Sequence, residues 1–328
     1  MSNTKTKVGV TRKLPFSTLD RLNELFDVQM NETDRALPRP ELLQMAADCE
    51  VLCPTVTDKI DAEILQAGEG KLKLLANFGA GTDHINLQSA CEQGIVVTNT
   101  PDVLTEDTAD LTMALLLAVP RRIIEGVDCL RSDGYQAGWS PTWMMGRSLG
   151  GKKLGIIGMG RIGQAVAARA RSFGMRIHYH NRRPVSPAIE EGLQALYWSD
   201  LDAMLGEMDF VSLNCPLSEQ TRHLMSAERL AKMPKHAMLI NTARGQLVDE
   251  AALIAALQAE KLAGAGLDVF EFEPQISPEL LQMSNVVALP HMGSSTLEAR
   301  CAMGERMIIN IKAYEDGHKP PDRVIISL

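Results

Sequence analysis

The sequence predicts an α/β protein built around parallel sheets, and three observations support this fold class. Short apolar segments alternate along the chain with longer patterns typical of helices. The hydrophobicity of these segments is continuous rather than alternating, which is typical of strands that helices cover on both faces. The segments also fall into two series, and two series indicate two α/β domains.

The two series of strand-like segments are separated by a predicted helix. The first comprises KVGVT, EVLCPT, LKLLANFG and GIVVTNT, and the second KKLGIIG, MRIHYH, FVSLNC, HAMLINTA, GAGLDVF and NVVALP. Between them, residues 102–122 predict a long inter-domain helix with an acidic start and a basic end, charges that complement the helix dipole. A second long helix is predicted after His291 and ends at Gly317. We expect this tail to cross back and complete the first domain.

The composition is that of a globular protein with two domains. The chain has 328 residues, more than one compact core usually holds, and 45% of them are hydrophobic and 23% charged. Aromatic residues make up 4%, so we expect an aliphatic core in which methionine fills gaps. The net charge of −8 argues against a general affinity for nucleic acid or for an anionic membrane.

Neither the N-terminus nor any apolar run predicts a targeting or membrane segment. The stretch MSNTKTKVGV lacks the apolar region of a signal peptide, and the longest apolar run, near residues 113–119, is too short to span a bilayer. The six cysteines are scattered, without the spacing of a redox motif or a zinc site. We therefore expect buried free thiols, no metal site and a reducing, cytoplasmic location.

A glycine-rich turn in the second series predicts a dinucleotide site. Gly158, Gly160 and Gly163 follow the strand-like LGIIG and precede the helical AVAARARSF, which is the context that a G-x-G-x-x-G motif requires. In such a motif the first glycine permits a tight turn, the second lets the backbone approach a pyrophosphate, and the third lets helix and strand pack closely. The alternative is a glycine-rich turn that binds no nucleotide.

The end of the next strand predicts which nicotinamide cofactor is preferred. NAD enzymes usually carry an acidic residue there, which binds the ribose 2′-hydroxyl, but this chain has Asn181, followed by Arg182 and Arg183. Asparagine does not repel a 2′-phosphate, and a charge-assisted hydrogen bond from one arginine is worth roughly 1.5–3 kcal/mol. The loop therefore predicts a preference for NADP(H), with NAD(H) possible. The alternative is that both arginines are solvated loop charges.

Three polar residues that each follow a buried strand predict a catalytic site. Arg244, Glu273 and His291 occupy such positions, and ligand sites of open α/β sheets gather at the carboxyl ends of the strands. An arginine can anchor a carboxylate or a polarised carbonyl, and a histidine can donate a proton near neutral pH. Glu273 would orient the imidazole and favour its protonated form. Singly, each residue is ambiguous, since Arg244 and Glu273 could form a plain ion pair.

Five motifs in order give the chain a recognisable family resemblance. The segments GMGRIG, CPLSEQT, LINTARGQLVDE, AGLDVFEFEP and LPHMGSST resemble those of the D-isomer-specific 2-hydroxyacid dehydrogenases, with a match from about Leu74 to about Arg306. The stretch GWSPTWMMGRSLGGKKLGIIGMGRIG is further similar to the glyoxylate/hydroxypyruvate reductase branch. The resemblance implies a split, flavodoxin-like substrate domain at residues 1–100 and 291–328, and a central doubly wound Rossmann domain at residues 101–290.

The resemblance also implies roles for individual residues. It assigns catalysis to Arg244, Glu273 and His291, and it suggests that the turn at residues 77–81 binds the substrate carboxylate through the backbone amides of Ala80 and Gly81. Trp139 lies in a segment that reaches towards the partner's active site in homodimers of this branch, where it would contact substrate; alternatively it is an ordinary buried or interface aromatic. The positions implied to bind the cofactor are Thr108, Gly158, Gly160, Arg161, Ile162, Gly163, Asn181, Arg182, Arg183, Cys215, Pro216, Thr242, Asp268, His291, Gly293 and Ser294, with Asp268 near the nicotinamide amide.

These inferences converge on an NADPH-preferring, homodimeric reductase of small 2-keto acids such as glyoxylate and hydroxypyruvate. His291 is expected to protonate the forming alkoxide, Glu273 to support His291, and Arg244 to hold the substrate. Two alternatives remain at this stage. One is a dehydrogenase of another 2-hydroxy acid, and the other is a nucleotide-sensing binding protein similar to the transcriptional corepressors of the same fold.

Overall fold

The computed structural model describes residues 5–132, 134–136 and 138–325. The chain divides into two compact units, Met1–Leu104 with Ser294–Leu328, and Thr105–Gly293. The sequence placed the corresponding boundaries after residues 100 and 290.

The strands are short, and each pairs in parallel with its neighbours. In chain order they are β1 (Lys7–Val10), β2 (Asp27–Met30), β3 (Val51–Cys53), β4 (Leu74–Ala76), β5 (Val96–Thr98), β6 (Lys153–Ile157), β7 (Arg176–His180), β8 (Ala195–Tyr197), β9 (Phe210–Leu213), β10 (Met238–Asn241), β11 (Gly264–Leu267) and β12 (Val286–Ala288).

The helices connect these strands. In chain order they are α1 (Phe16–Leu25), α2 (Arg39–Asp48), α3 (Ala62–Ala67), α4 (Leu87–Glu92), α5 (Thr105–Ala118), α6 (Ile123–Arg131), α7 (Arg161–Ser172), α8 (Pro187–Leu193), α9 (Leu201–Leu205), α10 (Ala227–Leu230), α11 (Glu250–Gln258), α12 (Pro278–Gln282) and α13 (Leu297–Glu315). Side chains cap several of them, as where the Asp249 carboxylate accepts a hydrogen bond from Ala252 N at the start of α11.

The first unit contains a five-stranded sheet with the order β2-β1-β3-β4-β5. This is the 2-1-3-4-5 order of flavodoxin-like folds. The C-terminal helix α13 buries Met303, Met307 and Ile311 in the same core cluster as Val8 and Val10 of the interior strand β1. The tail thus supplies part of the core of the unit in which the chain begins.

The second unit contains a seven-stranded sheet with the order β12-β11-β10-β9-β6-β7-β8. Counted from its own first strand, the order is 7-6-5-4-1-2-3, which is the Rossmann order 3-2-1-4-5-6 with a seventh strand added. One core cluster packs α5 and α7 on one face of this sheet, and another packs α9 and α11 on the other. The predicted class, two parallel α/β sheets of Rossmann and flavodoxin type, is confirmed.

The two predicted long helices are shorter than the sequence suggested. Asp102 has φ 73° and lies outside α5, which begins at Thr105 and keeps the expected acidic first turn. No basic residue lies in its last turn, because Arg122 has φ 54° and precedes α6. The expected basic end of this helix was therefore wrong. His291 lies outside α13, which the Thr296 hydroxyl caps by accepting a hydrogen bond from Ala299 N.

The six cysteines are free thiols, but they are not all buried. Cys49 and Cys53 are buried and Cys91 is exposed, so the expectation of uniformly buried thiols was wrong for Cys91. Within the described residues, no helix has the length and apolarity needed to cross a membrane. In the same part of the chain, no group of three or more histidine, cysteine or acidic side chains is arranged to hold a metal ion.

Candidate active site

The glycine loop joins β6 to α7, and its geometry separates the roles of the three glycines. Gly158 has φ 102°, and a Cβ added there would lie 2.5 Å from Cys215 N. A Cβ on Gly163 would lie 2.2 Å from the Gly158 carbonyl oxygen, whereas one on Gly160 would meet no atom within 4 Å. Only the first and third glycines are therefore required by the fold itself.

The open side of this loop fits a dinucleotide pyrophosphate. The N-cap of α7 is Gly160, so no side chain caps the first amides of the helix. Such amides, with the positive end of the helix dipole, are a common site for phosphate oxygens. The free space at Gly160 is where a pyrophosphate would approach the backbone. Arg161 and Ile162 form the first turn of the same helix.

The Asn181 side chain supports the glycine loop from the end of β7. Its Oδ1 accepts a hydrogen bond of 2.8 Å from Met159 N, while Tyr197 Oη donates to its backbone oxygen at 3.1 Å. Arg182 and Arg183 follow it and are exposed. Neither guanidinium hydrogen-bonds to any residue that the structure describes. Two guanidinium groups without a hydrogen-bond partner among the described residues therefore lie beyond the strand end at which Rossmann enzymes bind the adenosine ribose.

His291 lies on a turn after β12 that a buried aspartate holds. The backbone of His291 is left-handed, with φ 54°, and its N–H donates to Asp268 O at 2.8 Å. The Asp268 carboxylate accepts from Met292 N at 2.7 Å and from Gly293 N at 2.8 Å. Burial raises the pKa of Asp268 above its ordinary value, against the effect of these two amides. This carboxylate thus holds the unusual backbone conformation that carries the histidine.

His291 and Glu273 form a hydrogen-bonded pair. Nδ1 of His291 lies 2.7 Å from Oε2 of Glu273, whose other oxygen accepts a hydrogen bond from Phe270 N at 2.9 Å. Burial acts to raise the pKa of Glu273, but the hydrogen bond and charge of His291, with Phe270 N and Arg244, leave it lower than usual. Glu273 is therefore a carboxylate at neutral pH, and Nδ1 carries the proton between them. Among the described residues nothing hydrogen-bonds to Nε2, which is left for a reacting group.

Arg244 lies on the loop after β10, and a third obligatory glycine fixes that loop. A Cβ added to Gly245 would lie 1.9 Å from the carbonyl carbon and oxygen of Phe270, so the two chain segments touch. Asn241 Nδ2 donates to Arg244 O at 2.8 Å and so holds the same loop. Arg244 contributes to lowering the pKa of Glu273. The three predicted catalytic residues thus lie in one unit, on adjoining segments that follow β10, β11 and β12.

Several other positions implied to line the cofactor lie together in this unit. Thr108 Oγ1 donates to Gly293 O at 3.2 Å, and Thr112 links Thr108 O to Thr242 Oγ1 through two hydrogen bonds of 2.8 Å. Cys215 lies against Gly158, and burial raises the pKa of its thiol to about 11, so it is uncharged at neutral pH. Pro216 follows it, and its carbonyl oxygen accepts a hydrogen bond from Thr221 Oγ1 at 2.9 Å.

Comparison with known proteins identifies the family. The family model described as D-isomer specific 2-hydroxyacid dehydrogenase, NAD binding domain, matches residues 113–293. The chain belongs to this family. It is 44% identical to a glyoxylate reductase of Thermococcus litoralis over 323 residues, which cover 98% of this chain and 97% of the relative. These similarities place the dehydrogenase in the glyoxylate reductase branch.

Solved structures give the same result for the fold of this 2-hydroxyacid dehydrogenase. A glyoxylate reductase from Paecilomyes thermophila matches with a TM-score of 0.88 and 31% identity, covering 98% of both chains. An NADPH-dependent glyoxylate/hydroxypyruvate reductase from Sinorhizobium meliloti, in complex with NADP and malonate, matches with a TM-score of 0.86 and 36% identity. This match covers 98% of the dehydrogenase and 97% of the relative.

The remaining predicted positions of the dehydrogenase are the turn at residues 77–81, Ser294 and Trp139. The turn at residues 77–81 follows β4 in the first unit, where Ala80 and Gly81 are half-buried. Ser294 begins the second segment of that unit. Trp139 is 78% exposed, which excludes the interpretation of an ordinary buried aromatic in this chain.

A hydrogen-bond network beside the pair of His291 and Glu273 was not found from the sequence. Glu271 Oε1 accepts from His223 Nε2 at 2.6 Å and its Oε2 from Glu250 N at 3.2 Å, while Glu271 N donates to Glu250 Oε2 at 3.0 Å. Gln246 Nε2 donates to Glu271 O at 3.0 Å. Every polar group of Glu271 is therefore engaged, two residues before Glu273. The only sequence signal is a second acidic residue in FEFEP, which does not reveal these partners.

Proposed function

We propose that this dehydrogenase reduces small 2-keto acids, glyoxylate and hydroxypyruvate first, to D-2-hydroxy acids, and that it prefers NADPH. The observation that carries the proposal is the hydrogen-bonded pair of His291 and Glu273. No described residue hydrogen-bonds to Nε2 of His291, and Arg244 lies on an adjoining loop. The curated relative named a glyoxylate reductase supports the choice of substrate.

The chain's own residues account for the acid–base chemistry. A bound reduced nicotinamide supplies the hydride that adds to the keto carbon. His291 Nε2 donates a proton to the oxygen of that carbonyl as negative charge develops there. Ionised Glu273 accepts the Nδ1–H hydrogen bond, stabilises the imidazolium before transfer and keeps Nε2 directed at the substrate. The D-configuration of the product rests on the family resemblance.

Substrate binding is assigned to groups that match a 2-keto acid. The planar guanidinium of Arg244 can hydrogen-bond a carboxylate and a polarised carbonyl at once. From the resemblance, the backbone amides of Ala80 and Gly81 bind the carboxylate, and Trp139 of a partner subunit contacts the substrate. A 2-keto acid supplies both the carbonyl that reacts and the anion that these groups recognise.

The first experiment tests the chemistry. We expect turnover with glyoxylate and hydroxypyruvate in a panel of 2-keto acids assayed with both cofactors, and His291→Ala should lower kcat by about 10²–10⁴. His236→Ala is a matched control, because this histidine is exposed and pairs with Asp209 instead. Near-normal turnover of His291→Ala would show that His291 is not the acid.

The second experiment tests the cofactor preference. We expect a higher kcat/KM with NADPH than with NADH, and Arg182→Ala/Arg183→Ala should weaken NADPH about ten- to a hundredfold per engaged arginine. The exposed pair Lys235→Ala/Lys261→Ala removes the same charge elsewhere in this unit. A wild-type preference for NADH, or an NADPH preference that survives loss of both arginines, would refute the assignment.

Two other functions predict different results in these assays. A corepressor-type protein that senses NAD(P) would bind the cofactor but turn over none of the substrates. A dehydrogenase of another 2-hydroxy acid would show its highest kcat/KM with a different member of the panel. The half-buried His291 and its ionised partner Glu273 supply the positioned acid that an enzyme needs, and turnover of a substrate in the panel decides between the enzyme and the binding protein.

A homodimer is the proposed assembly. Helix α6 has no buried residue, although one face of it is apolar. Large apolar side chains on this helix and the following segment are exposed in the single chain: Ile123, Ile124, Val127, Leu130, Tyr135, Trp139 and Trp143. A second copy that covered these apolar side chains would remove them from water.

Analytical ultracentrifugation tests this assembly. We expect a dimer for the wild type and a monomer for Ile123→Glu/Leu130→Glu. Leu196→Glu, which charges an equally exposed leucine on β8, should remain dimeric. A wild-type monomer would refute the proposed homodimer.

The six free thiols are in keeping with the reducing, cytoplasmic location expected from the sequence.

A further inference from the structure

The turn after β4 in the first unit has an unusual arrangement of carbonyl groups. Asn77 is fully buried, and its Nδ2 donates to Gly79 O at 3.0 Å and to Gly81 O at 2.9 Å. Asn99 Nδ2 donates to Ala80 O at 2.7 Å. Two side-chain amides therefore hold the oxygens of three consecutive residues.

The geometry of the peptide bond links the direction of each N–H group to that of its carbonyl. In a planar trans peptide the N–H points opposite to the C=O of the same unit. When Gly79 O and Ala80 O are held by the asparagines, the N–H groups of Ala80 and Gly81 point away from them. Neither N–H donates to any residue that the structure describes. Two successive amides that lack an acceptor among the described residues can together bind an anion.

We propose that Asn77 and Asn99 are positioning residues that shape this turn into a carboxylate-binding site. The ligand class rests on the proposed function, which assigns the amides of Ala80 and Gly81 to the carboxylate of a 2-keto acid. The asparagines themselves do not touch the substrate. They set its binding by fixing which way the peptide groups of the turn face.

Both asparagines are themselves held, which gives the turn its rigidity. Asn77 Oδ1 lies 3.0 Å from His84 Nε2, and Asn77 N donates to Thr98 O at 3.0 Å. Asn99 N donates to Asp322 O at 3.2 Å, and the Asp322 carboxylate accepts two hydrogen bonds from Arg306. The C-terminal segment thus anchors the residue that holds Ala80.

The two roles of these asparagines, shaping the fold and shaping the anion site, predict different kinetics. A purely structural role would change stability and affect charged and neutral substrates alike. A positioning role affects only substrates that carry the carboxylate, because only the anion needs the aligned amides. The comparison therefore requires a substrate pair that differs in that group alone.

The test compares glyoxylate with its neutral methyl ester in wild type, Asn99→Ala and Asn99→Ser. We expect Asn99→Ala to raise KM for glyoxylate about tenfold or more, the value of one charge-assisted hydrogen bond. The changes in kcat, in KM for NADPH and in KM for the ester should be much smaller. Asn99→Ser, which keeps a shorter donor, should recover part of the loss. Asn23→Ala, at an exposed asparagine of α1, is the matched control.

Direct binding of oxalate to the protein–NADPH complex separates this inference from the proposed function. Calorimetry should show weaker oxalate binding to Asn99→Ala and Asn77→Ala than to the wild type, whether or not glyoxylate is the preferred substrate. A wild type that binds oxalate but lacks turnover would refute the proposed function alone. Equal loss for glyoxylate and its ester, unchanged oxalate affinity in the folded variants, or a wild type that does not bind oxalate would overturn the inference.

Discussion

The glycine loop permits a matched pair of substitutions that differ in outcome by geometry alone. Gly163→Ala places a methyl group 2.2 Å from the Gly158 carbonyl oxygen, which is backbone and cannot move aside cheaply. Gly160→Ala places the same methyl group in open space, at a backbone with φ −78°. The first should damage the fold and the second should damage only the cofactor site.

The magnitudes follow from these contacts. Overpacking of this kind costs about 1–3 kcal/mol, which lowers Tm by roughly 2–4 °C per kcal/mol for a unit of the size of residues 105–293. Gly160→Ala should stay within about 1 kcal/mol of the wild type, because the weaker N-cap and the reduced freedom of the unfolded chain oppose each other. Its methyl group would occupy the approach to the amides, where one lost charge-assisted hydrogen bond weakens binding roughly ten- to a hundredfold.

Two measurements separate the outcomes. Thermal denaturation without cofactor should place Gly160→Ala near the wild type and Gly163→Ala well below it. Fluorescence titration with NADPH should show a raised Kd for Gly160→Ala at a temperature at which the variant is fully folded. If Gly160→Ala bound NADPH like the wild type, the pyrophosphate would not lie over this loop. If it melted as early as Gly163→Ala, the assignment of open space would be wrong.

Three further predictions concern the catalytic loops. The pKa of Glu273 is lower in the folded chain than the ordinary glutamate value of 4.5. Its pair with His291 therefore stabilises the fold above that pH and stops doing so as the pH falls through the folded pKa. The Tm difference between wild type and Glu273→Gln should therefore be largest near neutral pH and shrink in acid; a difference that grew in acid would contradict the lowered pKa. Gly245→Ala should lower both Tm and kcat, because a methyl group 1.9 Å from the Phe270 carbonyl must separate the loops of Arg244 and Glu273. An unchanged kcat in the folded variant would show that the contact between these loops does not affect turnover. Glu271→Gln should lower the free energy of unfolding by about 1–3 kcal/mol in urea titrations. Two hydrogen-bond donors point at the Glu271 carboxylate, and an amide has only one oxygen to accept from them. An unchanged free energy of unfolding would indicate that these bonds contribute little.

Sequence patterns located ten of the twelve strands in the described part of the chain and missed two of the four edge strands. The segments identified as strands became β1, β3 to β7 and β9 to β12, whose continuous apolar runs reflect burial on both faces. The two that were missed, β2 and β8, are both sheet edges. Their sequences, DVQM and ALY, are partly exposed and so lack an apolar run. The edge strands β5 and β12 carry apolar runs and were predicted, whereas β2 and β8 are defined by their pairing partners, which a local pattern does not contain.

In the candidate site, too, features carried by neighbouring residues were predicted, whereas contacts between segments far apart in the sequence were not. The triad and the glycine loop were identified because each motif lies directly after a strand and carries its chemistry in its own residues. The contact between Gly245 and Phe270, and the hold of Asp268 on the turn at His291, join segments more than twenty residues apart. The choice of Nε2 as the reacting nitrogen likewise depends on where Glu273 lies. Such relations exist only once the chain has folded.

The hydrogen bond between Asn181 Oδ1 and Met159 N has an evolutionary consequence. Aspartate has the same shape as asparagine and keeps an oxygen at that position, so Asn181→Asp would preserve the support of the glycine loop. It would also place a negative charge where NAD enzymes bind the ribose hydroxyl and repel a 2′-phosphate. Asparagine and aspartate codons differ by a single base. Under the proposed assignment, a lineage could therefore move between the two nicotinamide pools in small viable steps, without disturbing the residues that perform the chemistry.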